Sequence, residues 1–413
     1  MRIRIALIII PLLILALVLA TGFTLVSRLF ILMALVMLFS YIWTRLGLRG
    51  IAATVEKPTE HCQVGKWFDE GITLFNKSRL PKLFLRVQEN TDLPDHHNAA
   101  IMNLSPRGSH SWQSKVYCRR RGRYSLGAFT VTAGDPFGLF SMQRKIGEPQ
   151  TVLIYPETLE LPFFQPLFHS EPGYGPSHWL ISENSSSASR VREYAQNDSF
   201  KHIHWGSTAH TGKLMVKVFD PDRSNYASKD IWVILDMQQA SHAGGSDGAT
   251  EEYGVTIAAS LIKKYIDNDK RVGLIASGDQ LYTFLPQTGH QHLWSTLEAL
   301  ATMKATGTTP IDQVLQETEH FEVNPVLLVI TPSTSEATIS SLRRLKNRGA
   351  MVIAILIDSA TFGGTVSAVN AANSLSSGGV QVYVIRQGED LAKELDSRRL
   401  LPYVHAGGMP GSG

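Results

Sequence analysis

The fold of the C-terminal half is decided by the stretch IWVILD, residues 231–236. Its first five residues are apolar and rich in β-branched side chains, without the polar alternation of a strand that has one face in water. Such a run predicts a strand covered on both faces, which is typical of a parallel sheet. Asp236 follows directly, where the carboxyl end of the strand is expected.

The same pattern recurs toward the C-terminus. Four apolar residues repeat at helical spacing after the first strand: Val255, Ala258, Ile262 and Tyr265. Further apolar runs, separated by helical patterns, lie at residues 272–276, 326–330, 352–357 and 380–385. This alternation predicts a doubly wound parallel sheet with right-handed crossovers over residues 230–400, and ligands of such sheets bind at the carboxyl ends of the strands.

The N-terminus contains two apolar stretches, residues 5–23 and 25–43. At about 1.5 Å per residue in a helix, each is long enough to cross a bilayer. Basic residues flank the pair at both outer ends, namely Arg2, Arg4, Arg45 and Arg49. The positive-inside rule therefore predicts a transmembrane hairpin over residues 1–45 that contacts membrane lipid, with both flanks in the cytoplasm.

A cleaved secretory signal peptide is the alternative for the first stretch. An Arg-containing start, an apolar run and the small residues Val18 and Ala20 resemble such a signal. The second stretch would then remain as a single anchor, and its basic end would still face inward. Both alternatives predict a protein of the cell membrane whose soluble part is cytoplasmic.

Charge and cysteine content restrict the partners. The first 50 residues contain five of the 39 basic residues and no acid, which leaves 34 basic and 36 acidic residues in the remainder. A nucleic-acid-binding domain normally carries a basic surface, so we expect no nucleic-acid partner. Cys62 and Cys118 are distant in sequence and predict reduced thiols rather than a disulfide framework or a thiolate metal site.

Residues 50–160 predict an antiparallel, β-sandwich-like domain. Short β-forming runs at 71–75, 83–87 and 129–132 are separated by turn residues. Residues 161–229 link this domain to the α/β domain and contain a Ser-rich segment, 185–189, that predicts a flexible loop. Residues 401–413 predict a disordered tail.

Three motifs carry a resemblance to a known family. The chain contains Arg121-Gly122-Arg123-Tyr124, then DPFGLF at 135–140, then REYAQNDSFKHIHW at 192–205. Together they resemble the bacterial domain-of-unknown-function family fifty-eight, whose members carry RGxY, DPFGLF and RxYxxGDxxRxIxW. The resemblance implies a membrane hairpin, a β-rich domain, a von Willebrand factor A-like α/β domain and genes that often lie beside those of MoxR-type AAA+ ATPases.

The third motif supplies a candidate cluster: Arg192, Tyr194, Asp198, Lys201, His204 and Trp205. We expect Arg192, Tyr194 and Asp198 to form a charge-assisted hydrogen-bond cluster that joins the two domains. Asn197, Lys201 and His210 depart from the family pattern, and the lysine cannot reproduce the planar fork of arginine.

His202 and His204 alternate with Ile203 and Trp205, which predicts a strand with one polar and one packed face. On that interpretation Trp205 is at least half buried. The alternatives are a metal site that His210 completes, or a hydrolase that uses Asp198, His202 and His204. The interpretation as a structural strand is favoured because no HExxH motif or cysteine ligand accompanies the histidines. We therefore assign no catalytic residue.

Asp236 stands where von Willebrand factor A domains begin a DxSxS metal-binding motif, as the resemblance implies. Gln238 and Ala240 replace both hydroxyl ligands, Thr309 matches the threonine loop, and Thr331 replaces the last acidic ligand. Magnesium needs several well-placed oxygens, so we predict a degenerate remnant without a tightly held metal or cofactor. Weak binding through the Gln238 amide, and with it metal-dependent adhesion, is the alternative.

These observations predict a membrane-anchored adaptor or scaffold that binds proteins, with a MoxR-type AAA+ ATPase as the candidate partner. We expect no enzyme, because the sequence contains neither a Walker lysine loop nor a GxSxG elbow. Assembly of an envelope or secretory complex is a third function that the sequence does not separate from the first.

Overall fold

The computed structural model describes residues 2–3, 6–21, 24–56, 62–164, 190–194, 203–218, 230–245, 249–317 and 325–396. The chain divides into two compact units, residues 1–156 and 157–413. The predicted loop at 185–189 and the predicted tail at 401–413 lie outside the described residues.

The described strands of the first unit are β1 (Arg2–Ile3), β2 (Ile51–Glu56), β3 (Cys62–Gln63), β4 (Trp67–Asn76), β5 (Lys82–Asn90), β6 (Ala99–Leu104), β7 (Ser109–Tyr117), β8 (Gly122–Leu126), β9 (Ala128–Gly134), β10 (Phe140–Ile146) and β11 (Gln150–Tyr155). They form three sheets, ordered β1-β10-β9-β5-β6, β2-β4-β7 and β3-β11-β8. Every described pairing is antiparallel except β3 with β11.

Two of these sheets share one hydrophobic core. Burial alternates along β4 and β5, as expected for strands with one packed face. Ile72 and Leu74 on β4 pack with Leu85 and Val87 on β5 and with Val131 on β9. The antiparallel β-rich unit that the sequence predicts is therefore present.

Two apolar helices lie between β1 and β2, α1 (Ala6–Thr21) and α2 (Thr24–Gly47), and they contact each other. Helix α2 is long and apolar enough to cross a membrane. Its C-terminal end contacts the five-stranded sheet, where Lys82 donates a hydrogen bond to the carbonyl of Leu46 and the ring of Tyr41 lies 6.0 Å from that of Phe140. Strand β1 pairs with β10, so the chain also enters α1 from this sheet.

The described elements of the second unit are β12 (Arg190–Glu193), α3 (Trp205–Thr211), β13 (Met215–Val218), β14 (Ile231–Leu235), α4 (Thr250–Asp267), β15 (Val272–Ser277), β16 (Leu281–Gln287), α5 (His290–Thr302), α6 (Ile311–Glu317), β17 (Val326–Thr331), α7 (Glu336–Asn347), β18 (Met351–Ile357), α8 (Val369–Ser377), β19 (Gln381–Ile385) and α9 (Leu391–Glu394). Strands β12 and β13 form an antiparallel pair.

The main sheet of this unit has the order β16-β15-β14-β17-β18-β19. All pairings are parallel except that of the edge strand β16 with β15, which confirms the predicted parallel sheet. Helices α6, α7 and α8 pack through their apolar residues on one face. Helix α4 lies on the other face, where a Cβ on Gly254 would meet Leu235 and Ile330 at 3.2 and 3.8 Å.

Candidate functional site at the carboxyl edge of the parallel sheet

The strand order creates a switch point between β14 and β17. From β14 the chain runs outward to β15 and β16, then returns to continue in the opposite direction from β17. Crevices at the carboxyl ends of such a strand pair are the usual ligand sites of doubly wound sheets. Asp236 directly follows β14, and Thr331 is the last residue of β17.

Asp236 is buried, and both of its carboxylate oxygens accept hydrogen bonds. The backbone N–H of Gln238 donates to Oδ1 at 3.0 Å, and the hydroxyl of Thr331 donates to Oδ2 at 2.6 Å. Only 2 % of Asp236 is exposed. Burial raises the pKa of Asp236 above its ordinary value, and the bonds from Thr331 and Gln238 offset part of that effect.

His242 is a member of this network that no sequence pattern indicates. Its Nε2 lies 2.9 Å from the carbonyl oxygen of Asp236, and its Nδ1 lies 3.0 Å from the hydroxyl of Thr250 at the start of α4. Because a carbonyl oxygen only accepts, Nε2 carries the proton in this arrangement. His242 thus links the end of β14 to the first turn of α4.

The loop that carries Thr309 is fixed beside this edge through Gly307. The Gly307 N–H donates to the carbonyl of Met237 at 3.0 Å, and the Gln239 N–H donates to the Gly307 carbonyl at 2.9 Å. A Cβ at position 307 would lie 2.2 Å from the Ser277 carbonyl oxygen, so only glycine permits this approach. The loop that carries Thr309 is therefore fixed through Gly307 to the residues that follow β14.

The donor set does not fit a tightly held divalent cation. The amide oxygen of Gln238 accepts a hydrogen bond from the Ser241 hydroxyl at 3.0 Å, and both oxygens of Asp236 are engaged as well. A cation bound to Asp236 would compete with the Thr331 hydroxyl and the Gln238 N–H, whereas magnesium favours several oxygen ligands and charge compensation.

The last residues of the signature motif, from Ile203 onward, lead into a capped helix and do not continue the predicted strand. Ile203 makes an isolated bridge to Val216, and the chain then enters α3. Nδ1 of His204 accepts a hydrogen bond from the Ser207 N–H at 3.1 Å, which caps the first turn. The strand prediction was wrong because this side chain satisfies a free N–H of the helix start and so stabilises an end to the extended run.

The predicted burial of Trp205 was also wrong. Trp205 is the first residue of α3, and 68 % of it is exposed. In a strand, the alternation of side chains between two faces would have placed Trp205 on the packed face. Side chains of a helix do not alternate in this way, so Trp205 can point outward.

The described residues contain only part of the predicted cluster. The backbone N–H of Tyr194 donates to the carbonyl of Leu214, and that of His204 donates to the carbonyl of Met215, both at 2.8 Å. Asp198, Lys201 and His202 lie outside the described residues, as does the side chain of Arg192. The hydrogen-bond cluster therefore stays a prediction.

A serine–histidine contact is present in the same helix. The Ser207 hydroxyl lies 2.7 Å from Nδ1 of His204, within the reach that a nucleophile and base require. The same nitrogen accepts the backbone N–H of Ser207, so its lone pair is engaged in capping. This geometry favours a structural role for His204 over the hydrolase alternative.

The DPFGLF motif forms the turn between β9 and β10. The carboxylate of Asp135 accepts hydrogen bonds from the N–H groups of Phe137 at 2.9 Å and Phe140 at 2.6 Å. Burial opposes ionisation of Asp135, but these backbone bonds outweigh it and lower its pKa. Gly138 has a φ of +67° in this turn, which glycine adopts without strain.

Comparisons with known proteins agree with the resemblance carried by the motifs. Residues 190–361 match the family described as "Protein of unknown function DUF58". This range contains α3, the switch point and strands β14 to β18. An uncharacterized protein of Bacillus subtilis (strain 168), YeaD, is 25 % identical over 277 residues, which are 65 % of this chain and 67 % of YeaD.

Solved structures give weaker similarities. Proximal thread matrix protein 1 from the mussel byssus is 14 % identical, with a TM-score of 0.31 over 41 % of this chain and 45 % of that protein. The CARDB domain of a Pyrococcus furiosus protein is 12 % identical, with a TM-score of 0.18 over 24 % of this chain and 93 % of that domain. Neither similarity indicates a function.

Proposed function

We propose that the chain is a membrane-anchored adaptor that binds a protein partner through its second unit. The observation that carries this proposal is the exposure of Trp205 within the family-matched range. Two further apolar side chains of the same segment, Val191 and Leu214, are 36 % and 42 % exposed. Tryptophan is enriched among the residues that dominate binding energy at protein interfaces, so an exposed one in a family motif supports an interface role.

The anchor is the helix pair α1 and α2, inserted as a hairpin with both ends in the cytoplasm. Only 6 % of the most apolar 18-residue segment of α2 is buried inside the protein, so this helix is not a core helix of the first unit. Burial of such a surface in lipid would stabilise it. At the end of α2, the guanidinium of Arg45 donates to the hydroxyl of Tyr41, a basic and aromatic pair suited to a membrane interface.

The second unit is a von Willebrand factor A-like domain on this proposal. Its strand order, antiparallel edge strand and acid after the first strand support that assignment. The engaged oxygens of Asp236 favour binding without a metal ion, in line with a scaffold rather than a metal-dependent adhesion domain or an enzyme. The family resemblance makes a MoxR-type AAA+ ATPase the partner to test first.

Capture of that ATPase from membranes tests the proposal with matched tryptophan variants. Trp205→Ala removes the exposed side chain of α3, and Trp67→Ala removes one that is 65 % exposed on β4 of the first unit. We expect the unmodified full chain and Trp67→Ala to retain the ATPase, and Trp205→Ala to lose at least tenfold in capture, about 1.4 kcal/mol. No enrichment over a chain truncated after α2, or full capture by Trp205→Ala, would overturn the proposal.

A further inference from the structure

Two glutamates of the first unit lie in rows of inward-facing side chains whose neighbours are apolar. Along β4 the inward-facing row includes Phe68, Glu70 and Ile72, and along β5 it ends at Glu89 after Val87. Glu70 is 1 % exposed and Glu89 is 6 % exposed. The two carboxylates come from the two sheets that share one core and meet between them.

His96, on the connection between β5 and β6, completes a cluster of three. One ligand atom of each residue lies within 4.8 Å of the others. Nε2 of His96 lies 3.1 Å from Oε2 of Glu89 and 3.9 Å from Oε2 of Glu70. Ligand atoms around a tetrahedral zinc ion stand roughly 3.4 Å apart, given bonds of about 2.1 Å. One of the two separations is therefore shorter, and the other longer, than the distance between ligand atoms that a bound ion requires.

The partners of the two carboxylates differ. Glu89 accepts a hydrogen bond from the Gly127 N–H at 3.0 Å and contacts His96. Apart from the contact with the carboxyl group of Glu89, neither carboxylate oxygen of Glu70 has a hydrogen-bond partner among the described residues, although both are buried. A buried carboxylate without a partner is costly, and such an atom in a folded protein calls for an explanation such as an ion. Glu70 faces Glu89, and a cation between two facing carboxylates would offset their repulsion.

We propose that Glu70, Glu89 and His96 bind a divalent transition-metal ion, with Zn²⁺ as the best match. Two carboxylates compensate its charge, and a neutral imidazole with carboxylate oxygens is a set that zinc accepts, with a fourth position for water. Magnesium and calcium fit less well because they favour more oxygen ligands and no imidazole. The ion would join the two sheets and the β5–β6 connection, and its binding would stabilise the folded first unit.

The test uses the untagged full chain in detergent, stripped with a chelator, then titrated with Zn²⁺ by calorimetry and followed by thermal melting. Each ligand variant has an exposed neighbour as its control: Glu70→Gln beside Asp69→Asn, and His96→Asn beside His97→Asn. We expect one Zn²⁺ per chain and a higher melting temperature in the unmodified chain and in both controls. Glu70→Gln and His96→Asn should bind at least tenfold more weakly and lose the shift.

Glu70→Gln keeps the side-chain volume and replaces one of two buried carboxyl groups that face each other, so it should fold at least as well as the stripped unmodified chain. Co²⁺ in place of Zn²⁺ adds a spectroscopic readout, because its visible absorption reports nitrogen and oxygen ligands and should disappear in His96→Asn. Absence of one-to-one Zn²⁺ binding in the unmodified chain would overturn the proposal. So would Zn²⁺ affinity within twofold of the unmodified chain in both ligand variants.

Discussion

The hydroxyl of Thr331 donates a 2.6 Å hydrogen bond to the carboxylate of Asp236 across the switch point of the parallel sheet. A threonine thus stands beside the acid at the edge where the family resemblance implies a further metal ligand. The pair is fully desolvated, with Thr331 at 0 % and Asp236 at 2 % exposure. Asp236 and Thr331 therefore form a buried hydrogen bond that joins the end of β14 to the end of β17.

Magnesium affinity follows from this pairing. We expect the full chain to bind Mg²⁺ at the switch point more weakly than millimolar, because a cation would compete with the donors that already engage Asp236. Calorimetric titration with Mg²⁺ checks this, and melting with and without a chelator gives a second readout. One-to-one binding tighter than millimolar that disappears in Asp236→Ala would contradict the prediction and restore a metal-dependent mechanism.

Thr331→Val tests how much the hydrogen bond between Thr331 and Asp236 contributes to the stability of the fold. The substitution keeps the side-chain shape but removes the donor, which leaves Oδ2 of a buried carboxyl without its partner. We expect the free energy of unfolding to fall by about 1–3 kcal/mol. Thr308→Val, at an exposed position of the neighbouring loop, should change it by less than about 0.5 kcal/mol. Denaturant titration measures both, and equal effects would contradict the assignment.

The raised pKa of Asp236 predicts a pH dependence of stability. A carboxyl that holds its proton more tightly in the folded state than in the unfolded state favours folding when it is protonated. This contribution is present below the ordinary value of 3.8 and is lost as the pH rises through the higher folded pKa. Asp236→Asn should remove it, so the melting temperature of the variant should fall less steeply with rising pH. Parallel pH profiles would show that Asp236 titrates normally.

Trp205→Ala should have little effect on folding. Because the side chain is 68 % exposed, we expect the free energy of unfolding to change by less than about 1 kcal/mol, against about 3–5 kcal/mol for a core tryptophan. Thermal melts of the full chain measure the difference. A loss in the core range would mean that α3 is covered in the intact molecule and would weaken the proposed interface.

The parallel sheet was predictable because its strands are continuous apolar runs. The prediction for β14 has the observed bounds, and those for β15 and β17 each miss one terminal residue. Strand β16 was missed because it is an edge strand in which exposed residues, including Leu281 and Leu285, alternate with less exposed ones. Such a strand resembles a surface loop in sequence.

The sites were less predictable, because the residues that form them are distant in sequence. Glu70 lies one residue before the predicted strand at 71–75, and extension of that strand back to Phe68 would have placed a glutamate on its packed face. His96 and His242 lie in connections without periodicity, so only the folded chain brings them to their partners. At His204 the strand prediction failed because the alternation of polar and apolar residues stops where His204 caps the start of α3.

The proposed orientation of the membrane anchor predicts the behaviour of reporter fusions. Basic residues flank both outer ends of the helix pair, so a reporter fused after Gly413 should work only if it is of the kind that is active in the cytoplasm. A fusion truncated after Thr21, between the two helices, should give the opposite result, because the proposed hairpin would place that point on the outer side. A cleaved signal peptide would instead shorten the full chain by about 20 residues, which gel mobility detects. An external reporter that is active after Gly413 would reverse the orientation and exclude a cytoplasmic partner.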